Sequence, residues 1–72
     1  MNKEILPFII FLIHHIANRY GVSPSVVYHK LETCDCIKKY IIPYYDSLHT
    51  QGEDYLINDI EIYLKNRGVS IL

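Results

Sequence analysis

Tyr44 to Gly68 reads YYDSLHTQGEDYLINDIEIYLKNRG, and its punctuation decides the fold. Thr50-Gln51-Gly52-Glu53 fits a capping box. In that motif the threonine oxygen accepts from the Glu53 N–H, and the Glu53 side chain reaches back to the Thr50 N–H. Leu56, Ile60, Tyr63 and Leu64 follow at helical spacing, with Ile57 beside them, so a helix over 51–67 is predicted. Glu61 and Lys65 stand four apart in the favourable order. Gly68 supplies the stop, and Val69 to Leu72 forms an apolar tail whose placement the pattern leaves open.

Upstream, Ile37, Tyr40, Ile41, Tyr44 and Leu48 make one inward stripe of a helix over 36–49, with Asp35 as its cap. Pro43 interrupts it. The stripe continues in phase to Leu48, which favours a kinked helix over two separate ones. Ser23-Pro24 opens a helix over 24–33: the serine caps, and proline suits the first helical position, where its missing N–H would lack a partner anyway. Val22 and Val27 are spaced to staple that entry, and Val26, Val27 and Leu31 are core candidates. The first helix covers 3–20, capped by Asn2 and ended by a left-handed Gly21. Residues 5, 9, 12, 13, 16 and 20 share a face, while Leu6, Phe8, Ile10 and Phe11 lie elsewhere. A helix apolar nearly all round belongs in the middle of an assembly. Pro7 is expected to kink it or delay its start.

No segment but the tail alternates with period two. The expected fold is all-α: one domain over 1–72, a compact four-helix bundle with the first helix central and the third kinked at Pro43. A chain of 72 residues hides only about 60% of its unfolded surface. Half of its residues are apolar, including seven tyrosines, so a homodimer or a standing protein partner is expected to cover the surplus.

The formal net charge of -1 gives no global attraction to nucleic acid or anionic lipid. Ile5 to Ile13 is apolar but shorter than the roughly 20 residues a membrane span needs. No small-residue cleavage site follows it, so a cytoplasmic protein without a membrane segment is expected. Cys34 and Cys36 are too close for a relaxed disulfide or a structural zinc pair, and two free thiols are expected. His14 and His15 are adjacent, about 100° apart on a helix, and His29 is solitary, so no metal ligand set forms. No phosphate-binding glycine pattern occurs, and no cofactor is expected.

His49 has Asp46 three residues before it, a pairing able to fix an imidazole tautomer. No nucleophile stands at a defined turn to use it, so the pair is read as a tie between helices and the protein as non-enzymatic. The acidic, tyrosine-bearing surface around Tyr45, Asp46, His49, Gln51, Glu53, Asp54, Tyr55 and Asp59 is the candidate partner contact; solvated charge and structural caps (Ser23, Asp35, Thr50, Glu53) are the plainer account of its members. A helix-turn-helix built from GVSPSVVYHKL and the segment bearing Lys38 and Lys39 is the alternative, disfavoured by Pro43, Asp46 and the small number of basic residues.

The block Tyr45-Asp46-x-Leu48-His49-Thr50-Gln51-Gly52, followed by Tyr55, Asp59-Ile60 and Tyr63-Leu64, resembles short bacterial proteins of the domain of unknown function 3791 family. The stretches EILPFIIFLI, GVSPSVVYHKL and the closing RGV match its layout too. Pro7 and Pro43 depart from it, standing where a family helix would continue. The resemblance implies a small cytoplasmic α-helical protein, encoded near a protein of ADP-ribosyltransferase-like fold as in toxin–antitoxin pairs. It implies an antitoxin or accessory role and carries over no functional residue.

Overall fold

In the computed structural model, which describes residues 3–72, the chain is all-α with no strand among the described residues. Its elements are α1 (Ile5–Tyr20), α2 (Pro24–Thr33), a π-helix (Ile37–Ile41), α3 (Tyr45–Leu48) and α4 (Glu53–Asn66). The Cα radius of gyration, 11.2 Å, matches the roughly 11 Å expected of a compact chain this long.

α1 starts two residues later than expected, the outcome offered for Pro7 beside a kink. The helix begins at Ile5, so Pro7 falls within the first turn, where backbone N–H groups have no intrahelical partner in any case. The proposed cap Asn2 lies outside the described residues. Gly21 ends α1 at φ 66°, and the Val22 N–H donates to the Ala17 carbonyl at 3.0 Å, closing a Schellman turn. That turn redirects the chain by 111° into α2. Ser23 caps α2, its Oγ accepting from the Val26 N–H at 3.4 Å. Val27 and Leu31 are fully buried, whereas Val26 is exposed and is not a core residue.

The third helix departs most from expectation. Asp35 does not cap it with its side chain; the residue takes a left-handed φ of 56° in the turn after α2, and its carboxylate lies 3.9 Å from Lys39 Nζ. After Cys36, Ile37–Ile41 form a π-helix, closed by the Ile42 N–H donating to Ile37 O at 2.9 Å. At Pro43 the chain breaks rather than kinks, because proline brings no N–H to continue the ladder. The wider π turn also resets the inward phase. Ile37, Ile41, Tyr45 and Leu48 are buried, and Tyr44 is turned outward.

The capping box does not form. Thr50 Oγ1 donates back to the Ser47 carbonyl at 2.9 Å, and Gly52, with no side chain to offer, is the N-cap of α4. Glu53 instead lies 3.6 Å from His15 Nδ1 on α1. The far end of α4 is a complete Schellman motif: Gly68 has φ 73°, its N–H donates to Lys65 O at 3.1 Å, and Val69 N–H donates to Leu64 O at 2.9 Å. The motif folds the tail back, and Ile71 is buried.

One core joins all the elements. Ile5, Ile9, Leu12, Ile13, Ile16 and Ala17 of α1 meet Val27, Leu31, Cys36, Ile41, Leu48, Leu56, Ile57, Ile60 and Leu64. Within this chain α1 is not enclosed on all sides. Its outer face, with Leu6, Ile10 and Phe11, remains exposed.

Candidate interaction surface

The residues proposed from sequence do not converge. Tyr45 is buried: Phe8 meets its ring edge-on at 5.2 Å, His49 stacks on it at 4.5 Å and 9°, and its hydroxyl donates to Glu4 Oε2 at 3.4 Å. Burial, then the Glu4 carboxylate, holds the Tyr45 phenol above its ordinary pKa. His49 is not joined to Asp46. Its Nδ1 lies 2.8 Å from the Tyr45 carbonyl, which uses the imidazole to finish the short α3. Asp46, Gln51 and Tyr55 are exposed on α3, the following turn and α4 respectively. Tyr55 borders a shallow polar depression with Arg19, Asp54 and Asn58. Asp59 is half-buried at a different place, beside Tyr40 and Tyr63.

At Asp59 the structure assembles a surface that the sequence did not reveal. Tyr40 of the π-helix stacks on Tyr63 of α4, ring centroids 4.6 Å apart and 15° from parallel. Tyr44 leans on the outer side of Tyr40 at 5.8 Å. Arg67 covers the other end, its guanidinium 3.5 Å from the Tyr63 ring centroid and its Nη1 donating to the Tyr63 carbonyl at 3.3 Å. The result is a ladder, Tyr44–Tyr40–Tyr63–Arg67. Ile62, 49% exposed, and Asn66 flank it around a depression of about 310 Å³. Tyr44 is itself 56% exposed. Burial, then the Asp59 carboxylate, raises the Tyr40 phenol, so its hydroxyl is neutral and able both to donate and to accept at ordinary pH.

The ladder arises from local features. The π-helix and the break at Pro43 bring Tyr40 and Tyr44 to the side facing α4. On α4, Tyr63 and Arg67 are four residues apart on one face, and Arg67 is the C-cap, where its charge complements the helix dipole. That spacing was visible in the sequence. The packing of Tyr40 against it was not, because it depends on a π turn that no residue pattern announces.

The remaining polar features are structural. Tyr20 donates its hydroxyl to Glu61 Oε2, a bond that raises the Tyr20 pKa, with burial adding to it. Glu61 Oε1, buried without a hydrogen bond, lies 3.8 Å from Arg19 Nη1. Glu61 thus ties α4 to α1 and does not pair with Lys65. Cys34 and Cys36 are free; Cys36 is fully buried, which pushes its thiol up to about 12. Among the described residues no group of His, Cys, Asp or Glu is arranged to hold a metal ion. The segment offered as a DNA-recognition helix, 36–49, is not one helix: it holds the π-helix Ile37–Ile41 and, beyond Pro43, the short α3. No single helix among the described residues is long and apolar enough to cross a membrane.

Comparison with known proteins finds no match among curated proteins or solved structures. A family model described as a protein of unknown function (DUF3791) matches residues 7–67, from the first turn of α1 to the end of α4. The chain belongs to that family.

Proposed function

We propose that the protein is a non-enzymatic, cytoplasmic protein-interaction module that binds its partner through the Tyr44–Tyr40–Tyr63–Arg67 ladder. The observation that carries this reading is the ladder's composition and stacked geometry. Tyrosine and arginine dominate binding hot spots, and here their rings and guanidinium are already stacked in place. A surface held in one geometry loses little side-chain entropy on binding. Exposed Tyr44 and Ile62 supply apolar contact, while Asp59, Asn66 and the Tyr40 hydroxyl supply hydrogen bonds. The specific form of the proposal is an accessory or antitoxin partner of an ADP-ribosyltransferase-like protein. Support for that class of partner comes from the gene neighbourhood implied by the family resemblance.

The test is affinity capture from the native cell with the tagged chain, followed by mass spectrometry and a binding titration with the purified partner. Tyr44→Ala with Ile62→Asp and Arg67→Ala changes only exposed side chains and is expected to weaken binding by at least tenfold while far-UV circular dichroism stays unchanged. Asp46→Ala with His49→Ala, which removes no member of the ladder, is expected to leave binding intact. The opposite pattern would move the contact to the α3–α4 corner. No partner, together with a salt-dependent shift of promoter DNA, would favour a regulator instead.

A further inference from the structure

We infer, on the reading that the tyrosine ladder is the contact surface, that the partner segment seated there carries a basic side chain, arginine or lysine, paired with Asp59. Asp59 is half-buried, and among the described residues its carboxylate makes no ion pair and no hydrogen bond. Other acids of this chain are answered from within: Glu61 by Tyr20 and Arg19, Glu53 by His15, Asp35 by Lys39. Arg67 does not answer Asp59. Its guanidinium lies on the Tyr63 ring and donates to the Tyr63 carbonyl, and its Cα stands about 12 Å farther along the axis of α4.

Any occupant of the depression must deal with that carboxylate. Asp59 lines it together with Tyr40, Ile62, Tyr63, Asn66 and Arg67. A partner broad enough to cover Ile62 and Tyr63 takes Asp59 out of solvent as well. A carboxylate buried without a counter-charge is costly, so an apolar or acidic occupant is rejected. The Tyr40 hydroxyl beside it brings one donor, against the four lone-pair sites or so that a carboxylate offers. A cationic group brings both charge and N–H donors, the stronger kind of hydrogen bond.

The neighbours favour a long side chain over a compact cation. Asp59, Ile62, Tyr63 and Asn66 follow one another at three- and four-residue spacing, so they share a face of α4. Ile62, 49% exposed, offers apolar surface to the methylene stem of an arginine or lysine while the charged head reaches Asp59.

Two measurements test the pairing. With the captured partner, Asp59→Asn keeps the shape of the side chain and is expected to weaken binding at least tenfold with Tm preserved; Asp59→Arg is expected to weaken it further through like-charge repulsion. Full binding by both variants, to a partner that the Tyr44, Ile62 and Arg67 substitutions release, would overturn the pairing and leave the ladder as the contact surface. A partner indifferent to all of these substitutions would overturn both. The second measurement needs no partner. N-acetyl-L-arginine amide, titrated to about 100 mM at constant ionic strength, is expected to shift amide resonances centred on Asp59, Ile62 and Tyr63. N-acetyl-L-glutamine amide, a neutral donor, is expected not to, and Asp59→Asn is expected to abolish the arginine response. An absent or displaced arginine response, its survival in Asp59→Asn, or an equal response to the glutamine amide would each overturn the pairing.

Discussion

Gly52 and Gly68 bracket the fourth helix, and replacing each should move stability in opposite directions. Gly52 is the N-cap of α4 at φ -64° and ψ 153°, with nothing within 4 Å of where a Cβ would stand. Ser23 caps α2 at φ -75° and ψ 151°, nearly the same backbone, and there the side chain accepts a backbone N–H. Gly52→Ser therefore adds a hydrogen-bond acceptor where orphan N–H groups await one, worth a few tenths of a kcal/mol relative to glycine. It also narrows the unfolded ensemble, worth about 0.4–1 kcal/mol. The sum is about 0.5–1.5 kcal/mol, or a Tm rise of about 3–10 °C in a domain this small. Gly68→Ala meets open space too, but at φ 73°. A left-handed alanine costs about 1–2 kcal/mol, only partly offset by the same unfolded-state gain, so Tm should fall. Thermal unfolding followed by far-UV circular dichroism, with chemical denaturation as a check on ΔG, measures both. Thr50→Ala is the control: its hydroxyl serves only the Ser47 carbonyl, so the loss should be well below the roughly 1 kcal/mol of a true cap. A destabilised Gly52→Ser together with a costly Thr50→Ala would mean that the capping box exists in solution and that this account of the α3–α4 turn is wrong.

Two further predictions follow from the core. Leu12 is fully buried at the centre of the α1 packing, so Leu12→Ala should cost about 2–5 kcal/mol, a large share of the roughly 4–10 kcal/mol such a chain has, and denaturant midpoints would register it. Cys36 keeps its proton in the folded state up to about 12 against an ordinary 9.0, chiefly through burial. Because the native state then binds more protons than the unfolded one, its contribution is complete below pH 9 and is lost as pH rises toward 12. Cys36→Ala should flatten the decline of Tm over that alkaline range, and an unchanged slope would show that another group governs it.

Helix ends set by backbone conformation or by immediate neighbours were legible in the sequence. Gly21 and Gly68 adopt the left-handed stops expected of them, and Ser23-Pro24 opens α2 as its chemistry dictates. Features that needed a choice between competing hydrogen bonds were not. Thr50 could cap forward or bond backward, and the turn from Leu48 settles it backward, with Gln51 N–H donating to Leu48 O at 3.2 Å. Asp35 could cap or occupy the left-handed region, two roles its short polar side chain serves about equally well. The shift of the inward position from Tyr44 to Tyr45 followed from the π turn, which buries Tyr45 and leaves Tyr44 exposed. The same shift dissolved the sequence-derived site. Once Tyr45 turned inward, His49 stacked on it and left Asp46 alone at the surface.

The shift has a functional consequence that composition alone could not supply. A short chain rich in apolar residues must leave some of them outside, and what matters is where they gather and with what neighbours. Here they gather in two chemically different places. On α1 the exposed apolar side chains, Leu6, Ile10 and Phe11, are aliphatic or phenyl, and Arg19 is the one exposed charge, at the far end of the helix. Such a surface can discriminate partners by shape alone. On the π-helix and α4 they are tyrosines tied to an arginine, an aspartate and an asparagine, so each apolar ring comes with directional hydrogen-bonding groups. Discrimination by hydrogen bonds rejects a wrong partner by leaving buried polar groups unpaired, a penalty a purely apolar face cannot impose. On the proposed reading, specificity for a different protein belongs to the tyrosine ladder. Substitutions on the outer face of α1 should leave binding through the ladder untouched, because the two surfaces share no side chain.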